Sequence, residues 1–314
     1  MGETLTFTSA VLKLFKGTLL VMPIAVLVGV SGQSETHAAE SAEKYTIVLP
    51  NYANRPDANH YVQDLVSRAL ATQGVGAEFD YYPLPTNTKR TLVLLGKDPE
   101  IDMTWLPATR EYLDTINYIA IPLYQGLHGI RLLLINASNQ DRFKNVDTLE
   151  ALSELVGVQH KSWSDTRILM QNGLTVSGEL DYDNMVRAIG SGFADYFPRS
   201  AMTIEFEQRK VADRNIIIEP QLALIYPSYY LLYVSDRQPK LFETLNAGFD
   251  EIIVSGAFAK IFEEYFSHRY ENLDLDKRRK FQLRNSDIPS DVNQVLEKRI
   301  LFPSLQIAAN TQNQ

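Results

Sequence analysis

Strand-like and helix-like segments alternate early in the sequence, and this alternation limits the fold more than any other feature. Tyr45–Leu49, Ala77–Tyr82 and Ile101–Thr104 are short apolar runs of the kind that form buried strands. Between them, apolar residues recur on one face of a helix that begins near Asn59, and Thr88–Leu95 predicts a second helix. The order strand–helix–strand–helix–strand predicts an α/β fold with a mostly parallel sheet.

The later sequence predicts a second set of strands and helices, followed by a return to the first set. Arg131–Ile135 and Tyr229–Val234 are apolar strands with no Pro-rich or Ser-rich linker nearby, so we expect the chain to cross between two lobes there. Amphipathic helices near Lys240–Val254 and Ala257–Phe266 close the domain. The predicted division is a signal peptide at 1–39, a first lobe at 40–130, a second lobe at 131–230, a return to the first lobe with the closing helices at 231–305, and a disordered tail at 306–314.

The N-terminal segment has the composition of a secretory signal peptide. Lys13 and Lys16 precede an almost wholly apolar run at 17–30, and a polar stretch with small residues follows, with a cleavage site near Ala38 or Ala39. An uncleaved membrane anchor is the alternative, although the apolar run is shorter than the roughly 20 residues of a spanning helix. Export with cleavage predicts a periplasmic protein.

Composition excludes several classes of function. The net charge of −8 argues against a nucleic-acid-binding protein, which needs a basic face. The chain has no cysteine, which excludes disulfides, thiol nucleophiles, zinc–thiolate sites and a lipoprotein anchor. Its five histidines are scattered without metal-ligand spacing, and the sequence has no G-x-S-x-G elbow, no phosphate-binding Gly-rich loop and no H-E-x-x-H motif. We therefore expect a protein that is not an enzyme and uses neither a cofactor nor a metal.

Polar and aromatic residues gather where predicted strands end, which is where open α/β sheets bind ligands. The candidate ligand-binding residues are Tyr52, Trp105 and Arg110 in the first lobe and Trp163, Ser164, Asp165, Thr166 and Arg199 in the second. Free amides at the helix start near Ser164 favour an anionic group.

Six of these candidates also have a structural alternative. The alternatives are packing within the lobe for Tyr52 and Trp105, helix capping for Ser164, interaction with the helix dipole for Asp165, a surface ion pair with Glu111 or Asp114 for Arg110, and an ion pair across the lobes for Arg199.

Several motifs then occur in the order found in a known family. They are Gly96–Thr104 (GKDPEIDMT), Ala108–Glu111 followed by Ile119–Tyr124, Val156–Gln159 followed by Trp163–Leu169, Ala188–Asp195 (AIGSGFAD) and Leu241–Phe266. Together they resemble the type II periplasmic solute-binding proteins, in the branch of amino-acid-binding components of ABC transporters. The resemblance implies two α/β lobes joined by two hinge strands, with the ligand held between them. It also implies that Arg110 holds a ligand carboxylate, together with the amides and hydroxyls of Ser164, Asp165 and Thr166.

The sequence departs from that branch after a late strand of the second lobe. The amino-acid binders have an Asp there, whereas this chain continues with Phe197-Pro198-Arg199, as in a divergent subgroup. Cations at Arg110 and Arg199 would suit a solute with two anionic groups, because a guanidinium binds a carboxylate with two hydrogen bonds. The resemblance thus predicts a monomer that captures an amino-acid-like or dicarboxylate solute for an ABC permease. A sensor for a membrane receptor is one alternative, and a dehydratase-like enzyme using Glu205, Asp165 or His160 is another.

Overall fold

The computed structural model describes residues 43–52, 56–96 and 100–300. The predicted signal peptide at 1–39 and the predicted tail at 306–314 lie outside these residues. Among the described residues, no helix combines the length and the apolar character needed to span a membrane.

The elements alternate between strands and helices over most of the chain. In chain order they are β1 (Lys44–Asn51), α1 (Pro56–Thr72), β2 (Gly76–Pro85), α2 (Thr88–Gly96), β3 (Met103–Pro107), α3 (Arg110–Thr115), β4 (Tyr118–Ile119), β5 (Ile130–Asn136), α4 (Leu149–Ser153), β6 (Gly157–Val158), α5 (Ser164–Gln171), β7 (Val176–Ser177), α6 (Tyr182–Gly190), β8 (Tyr196–Ser200), α7 (Ile204–Lys210), β9 (Ile216–Ile218), β10 (Leu222–Ile225), β11 (Tyr230–Val234), α8 (Pro239–Val254), α9 (Ala257–Tyr270), β12 (Arg279–Gln282) and α10 (Ser290–Glu297).

The first lobe is built around β1, β2 and the three-stranded sheet β3–β11–β4. Strands β1 and β2 are parallel, as the alternation of strand and helix predicts. Asp102 ties β1 to the start of β3, because its carboxylate accepts a hydrogen bond from the Val48 amide (2.8 Å) and its own amide donates to the Val48 carbonyl (2.9 Å). Helices α8 and α9 pack against α1, so the late helices cover the early strands.

The second lobe contains one sheet in the order β12-β10-β5-β8-β6-β7, with β9 also paired to β5. The alternation along β5 divides its apolar side chains between two faces. Leu132 and Leu134 belong to the core on the side of α6 and α7, whereas Leu133 and Ile135 pack with residues of α4 and α5. Apolar side chains on both faces explain why β5 is continuously apolar from Leu132 to Ile135 rather than alternating.

Two crossings between the lobes, one after β4 and one after β10, lie side by side. The Tyr226 amide donates a hydrogen bond to the Gly129 carbonyl (3.0 Å), and the Leu123 amide donates to the Tyr230 carbonyl (3.0 Å). A Cβ atom on Gly129 would lie 2.1 Å from the Tyr226 carbonyl oxygen, so this close approach requires glycine. The crossings therefore fall between β4 and β5 and between β10 and β11, next to the strands that the sequence predicted.

The chain after α9 returns to the second lobe through β12, a strand that the sequence did not predict. Strand β12 pairs in parallel with β10, with Phe281 beside Leu224. Helix α10 then lies against the second crossing, where the Tyr229 hydroxyl donates a hydrogen bond to Asn293 Oδ1 (2.8 Å). The second crossing is thus flanked by segments from the end of the described chain.

Candidate functional site

Tyr52, Thr104 and Trp105 form a cluster in the first lobe. Tyr52 directly follows β1, whereas Thr104 and Trp105 lie within β3 and not after it, where the sequence predicted them. The Tyr52 hydroxyl lies 3.1 Å from Thr104 Oγ1, and the Tyr52 ring meets the Trp105 ring edge-on at 6.0 Å. Trp105 is only 3% exposed, so it supports Tyr52 from within the core. Tyr52 is half-buried and is the member of this cluster that a solute can reach.

Arg110 begins α3, directly after the residue that caps this helix. The Thr109 hydroxyl accepts a hydrogen bond from the Tyr112 amide (3.4 Å). The Arg110 side chain is exposed. No ion pair of Arg110 with Glu111 or Asp114 occurs among the described residues. The side chain therefore carries a positive charge that is available to an anion.

Arg199 in the second lobe lies inside an aromatic cage, a name used here for Trp163, Tyr182 and Phe197. Phe197 and Arg199 are two residues apart in β8 and therefore point to the same face of the sheet. The guanidinium carbon lies 4.8 Å from the Phe197 ring centre, 5.0 Å from that of Trp163 and 5.7 Å from that of Tyr182. These distances are within the range of cation–π attraction.

Glu207, on α7, supplies the negative charge that matches Arg199. Arg199 Nη2 donates to Glu207 Oε1 (2.8 Å), and Arg199 Nε donates to Glu207 Oε2. The Tyr182 hydroxyl also donates to Glu207 Oε2 (3.2 Å), and burial together with the nearby Glu207 charge raises the pKa of Tyr182 to about 12. The side chains of Arg199 and Glu207 are 17% and 11% exposed, so the pair is largely removed from water. Arg199 thus makes an ion pair within its own lobe, whereas the structural alternative drawn from the sequence was a pair across the lobes.

Three predicted residues lie in the first turn of α5. Ser164 is the first helical residue rather than the cap, so the prediction that it caps the helix is wrong: Trp163 occupies the cap position and makes no side-chain cap bond. Ser164 is exposed. Thr166 is buried, and its hydroxyl donates to the His160 carbonyl (2.6 Å), which fixes the turn before the helix.

Asp165 is the centre of a buried polar triad with Arg131 and Tyr226. Arg131 Nη2 lies 2.7 Å from Asp165 Oδ1, Arg131 Nε donates to the Tyr226 hydroxyl (2.8 Å), and that hydroxyl donates to Asp165. Burial raises the pKa of the Tyr226 hydroxyl well above its ordinary value. Burial alone would lower the pKa of Arg131. The attraction of the Asp165 charge and the contact with Tyr226 have a larger, opposite effect, so the pKa of Arg131 is raised above its ordinary value. The triad joins α5 to both chain crossings.

The partners of Arg199 and Asp165 were not identified from the sequence. They are Tyr182, Glu207, Arg131 and Tyr226. One signal was available for Arg131, a charged residue at the start of an otherwise apolar strand. Nothing in the spacing of Glu207 or Tyr182 indicated that α6 and α7 would place them against β8.

The acids and bases considered for an enzyme lie in different surroundings. Asp165 is held by Arg131 and Tyr226, His160 Nδ1 lies 2.6 Å from Ser162 Oγ, and Glu205 faces the pocket between α7 and α9. In the described ranges, no group of three or more His, Asp or Glu side chains could hold a metal ion.

The sheets of the two lobes, the paired crossings and the helices on both faces of the second-lobe sheet make this a two-lobed α/β fold of the kind found in type II periplasmic solute-binding proteins. The fold is the one that the sequence motifs implied. Among solved structures, the Bacillus subtilis protein YckB aligns with 77% of this chain and 97% of its own at 14% identity and a TM-score of 0.50. No protein-family model matches the sequence, and no curated protein matches it significantly.

Two further solved structures are similar at lower scores. An ancestral arginine-binding protein bound to arginine is 16% identical over 70% of this chain and 98% of its own, with a TM-score of 0.47. The second substrate-binding domain of GlnP from Lactococcus lactis is 12% identical over 72% of this chain and 97% of its own, with a TM-score of 0.49.

Proposed function

We propose that this chain is a solute-binding protein whose two lobes close around one small solute. The observation that carries the proposal is the placement of partly or fully exposed polar and aromatic side chains beside the strands of both lobes. The lobes are joined by two adjacent crossings and by the segment that leads from α9 to β12. Ligands bind at the carboxyl ends of strands in open α/β sheets, and hinge closure needs a small number of connecting segments. The Gly129–Tyr226 contact marks the hinge, because both crossings pass there.

The charges at the site favour a solute with a single carboxylate. Arg110 is exposed and unpaired among the described residues, so its guanidinium suits a carboxylate of the solute. Arg199 already makes two hydrogen bonds to Glu207, so this pair presents no net charge to a ligand. A solute with two anionic groups would have to displace Glu207 from Arg199, at the cost of leaving a carboxylate without its partner. An amino-acid-like or aromatic monocarboxylate therefore fits better than a dicarboxylate.

The partner and location in the cell follow from the same proposal. A closed, solute-bound form is what an ABC permease would recognise, and the predicted signal peptide would deliver the protein to the periplasm. The protein would act as a monomer and without a cofactor.

A thermal-shift screen with amino acids, dicarboxylates, small peptides and aromatic acids tests the proposal. A ligand that binds only the folded state stabilises it by about 2.7 kcal/mol at a hundred times its dissociation constant, which raises the melting temperature by several degrees. We expect a monocarboxylate to give the largest shift and to be recovered unchanged. Recovery of a chemically altered compound would instead identify an enzyme.

Two variants then locate the solute. Arg110→Gln should weaken binding at least about tenfold, because it removes a charge-assisted hydrogen bond. Lys240→Gln, an exposed cation at the start of α8 in the same lobe, is the matched control and should bind as the unaltered protein does. If Arg110→Gln binds equally well, the carboxylate is held elsewhere. If a dicarboxylate binds best and Arg199→Ala weakens it, the solute has two anionic groups as the sequence suggested.

A further inference from the structure

A separate pocket of about 350 Å³ lies between α7 of the second lobe and the end of α9 of the first. We call it the α7–α9 pocket, and its lining residues are Met202, Glu205, Phe206, Arg209, His268, Arg269 and Asn272. It lies on the opposite face of α7 from the proposed solute site. Glu207 is buried towards β8, whereas Phe206 and Arg209, three residues apart, share the face that looks towards α9.

The pocket has an excess of positive charge. Arg209 and Arg269 line it, and Lys210 lies over the face of the Phe206 ring at its edge, 4.0 Å from the ring centre. Glu205 is the single carboxylate in the lining, and its Oε2 is 3.9 Å from Arg209 Nη1. At that distance the pair is loose, and the Arg209 side chain is 67% exposed. Within the lining, two arginines therefore face a single carboxylate.

Arg269 has hydrogen-bonding capacity that the described residues do not use. Its Nη1 reaches the Met202 carbonyl at 3.5 Å, the upper limit of a hydrogen bond, and its guanidinium lies 5.6 Å from the Phe266 ring centre. Its Nε is buried and has no hydrogen-bond partner among these residues. Because Nε is enclosed by the protein, the Nη groups are the donors that Arg269 can offer to a molecule in the pocket.

We propose that the α7–α9 pocket is a second binding site for a small molecule that carries a carboxylate or phosphate group. The anion accepts hydrogen bonds from Arg269 and Arg209, which present donor groups suited to planar or tetrahedral oxyanions. Met202 and Phe206 supply an apolar edge for the remainder of the molecule. Because α7 and α9 belong to different lobes, a bound anion bridges the lobes and favours the arrangement in which they lie close together.

Titration of the protein with sodium phosphate and with sodium succinate, at constant ionic strength set with sodium chloride, tests this site. For at least one of the two anions, the melting temperature should rise with the logarithm of anion concentration once that concentration exceeds the dissociation constant. A response to phosphate alone identifies phosphate as the group bound, and a response to succinate identifies carboxylate. A melting temperature that depends only on ionic strength would overturn the proposal.

Variants tie the effect to the pocket. Arg209→Gln and Arg269→Gln should each weaken anion binding at least about tenfold. Arg209 is largely exposed, so its variant is expected to fold even if Arg269→Gln proves unstable. Arg214→Gln, an exposed cation just beyond α7, should bind the anion normally, and so should Arg110→Gln, which affects only the solute site. Equal anion affinity in Arg209→Gln and the unaltered protein would overturn the assignment.

Discussion

The ion pair of Arg199 and Glu207 gives a prediction at the scale of single residues. Glu207→Gln leaves a largely buried guanidinium without its counter-charge, and removal of one partner of a buried pair typically costs about 3 kcal/mol or more. Addition of Arg199→Met to that variant removes the unpaired charge and places an apolar chain in the aromatic cage, so stability should largely return. Urea unfolding of the two single variants and the double variant measures this as a double-mutant cycle. If the changes in the free energy of unfolding of the two single variants add up to that of the double variant, Arg199 and Glu207 are not coupled.

At the same scale, the sequence identified Arg199 but not what surrounds it. The run Phe197-Pro198-Arg199 indicated a special position, because a cation directly after an apolar strand is unusual. Glu207 is only eight positions away, yet whether it faces Arg199 depends on how α7 is rotated against β8. That rotation is set by burial of Ile204, a tertiary contact that no local pattern in the sequence encodes.

At the scale of elements, Gly248 controls how closely α8 approaches α1. A Cβ atom there would lie 2.1 Å from the Ala69 carbonyl oxygen on α1. Gly248→Ala should therefore lower the free energy of unfolding, although alanine favours a helix over glycine by about 1 kcal/mol. Gly190→Ala at the end of α6 is the matched control, because its nearest neighbour would be the Arg214 carbonyl oxygen at 3.6 Å. The control should be neutral or stabilising in a urea titration, and stabilisation by Gly248→Ala would contradict the close contact.

The elements predicted best from the sequence are those with strong periodicity. Strand β1, helix α1 and strand β2 carry clear strand-like or helix-like patterns, and the structure forms all three. Strand β12 was missed because a single residue, Phe281, is buried among charged and polar neighbours. It forms a strand because it pairs with the edge of the sheet at β10. Four residues of sequence do not indicate a pairing partner that lies more than 50 residues away.

At the scale of the whole molecule, buried tyrosines should make the fold sensitive to alkaline pH. Burial raises the pKa of Tyr61, Tyr196, Tyr229 and Tyr233 above the ordinary value of about 10. Because the folded-state values are higher than the unfolded ones, their contribution to stability is fully present below about pH 10 and is lost as the pH rises further. Absorbance of tyrosinate at 295 nm should therefore rise for these residues together with the loss of far-ultraviolet circular dichroism, in one transition.

Two of these tyrosines differ in a way that makes the prediction specific. The Tyr233 hydroxyl is buried without a partner among the described residues, whereas the Tyr229 hydroxyl donates to Asn293. Tyr233→Phe removes an unsatisfied polar group, so it should stabilise the fold at neutral pH, by roughly 1 kcal/mol, and move the alkaline midpoint upward. Tyr229→Phe also removes an ionisable group, but it breaks a buried hydrogen bond and should destabilise the fold at neutral pH. The two substitutions could instead change the free energy of unfolding equally at pH 7, as measured with urea. That result would show that the hydrogen bonding of a buried tyrosine hydroxyl does not determine its contribution to stability.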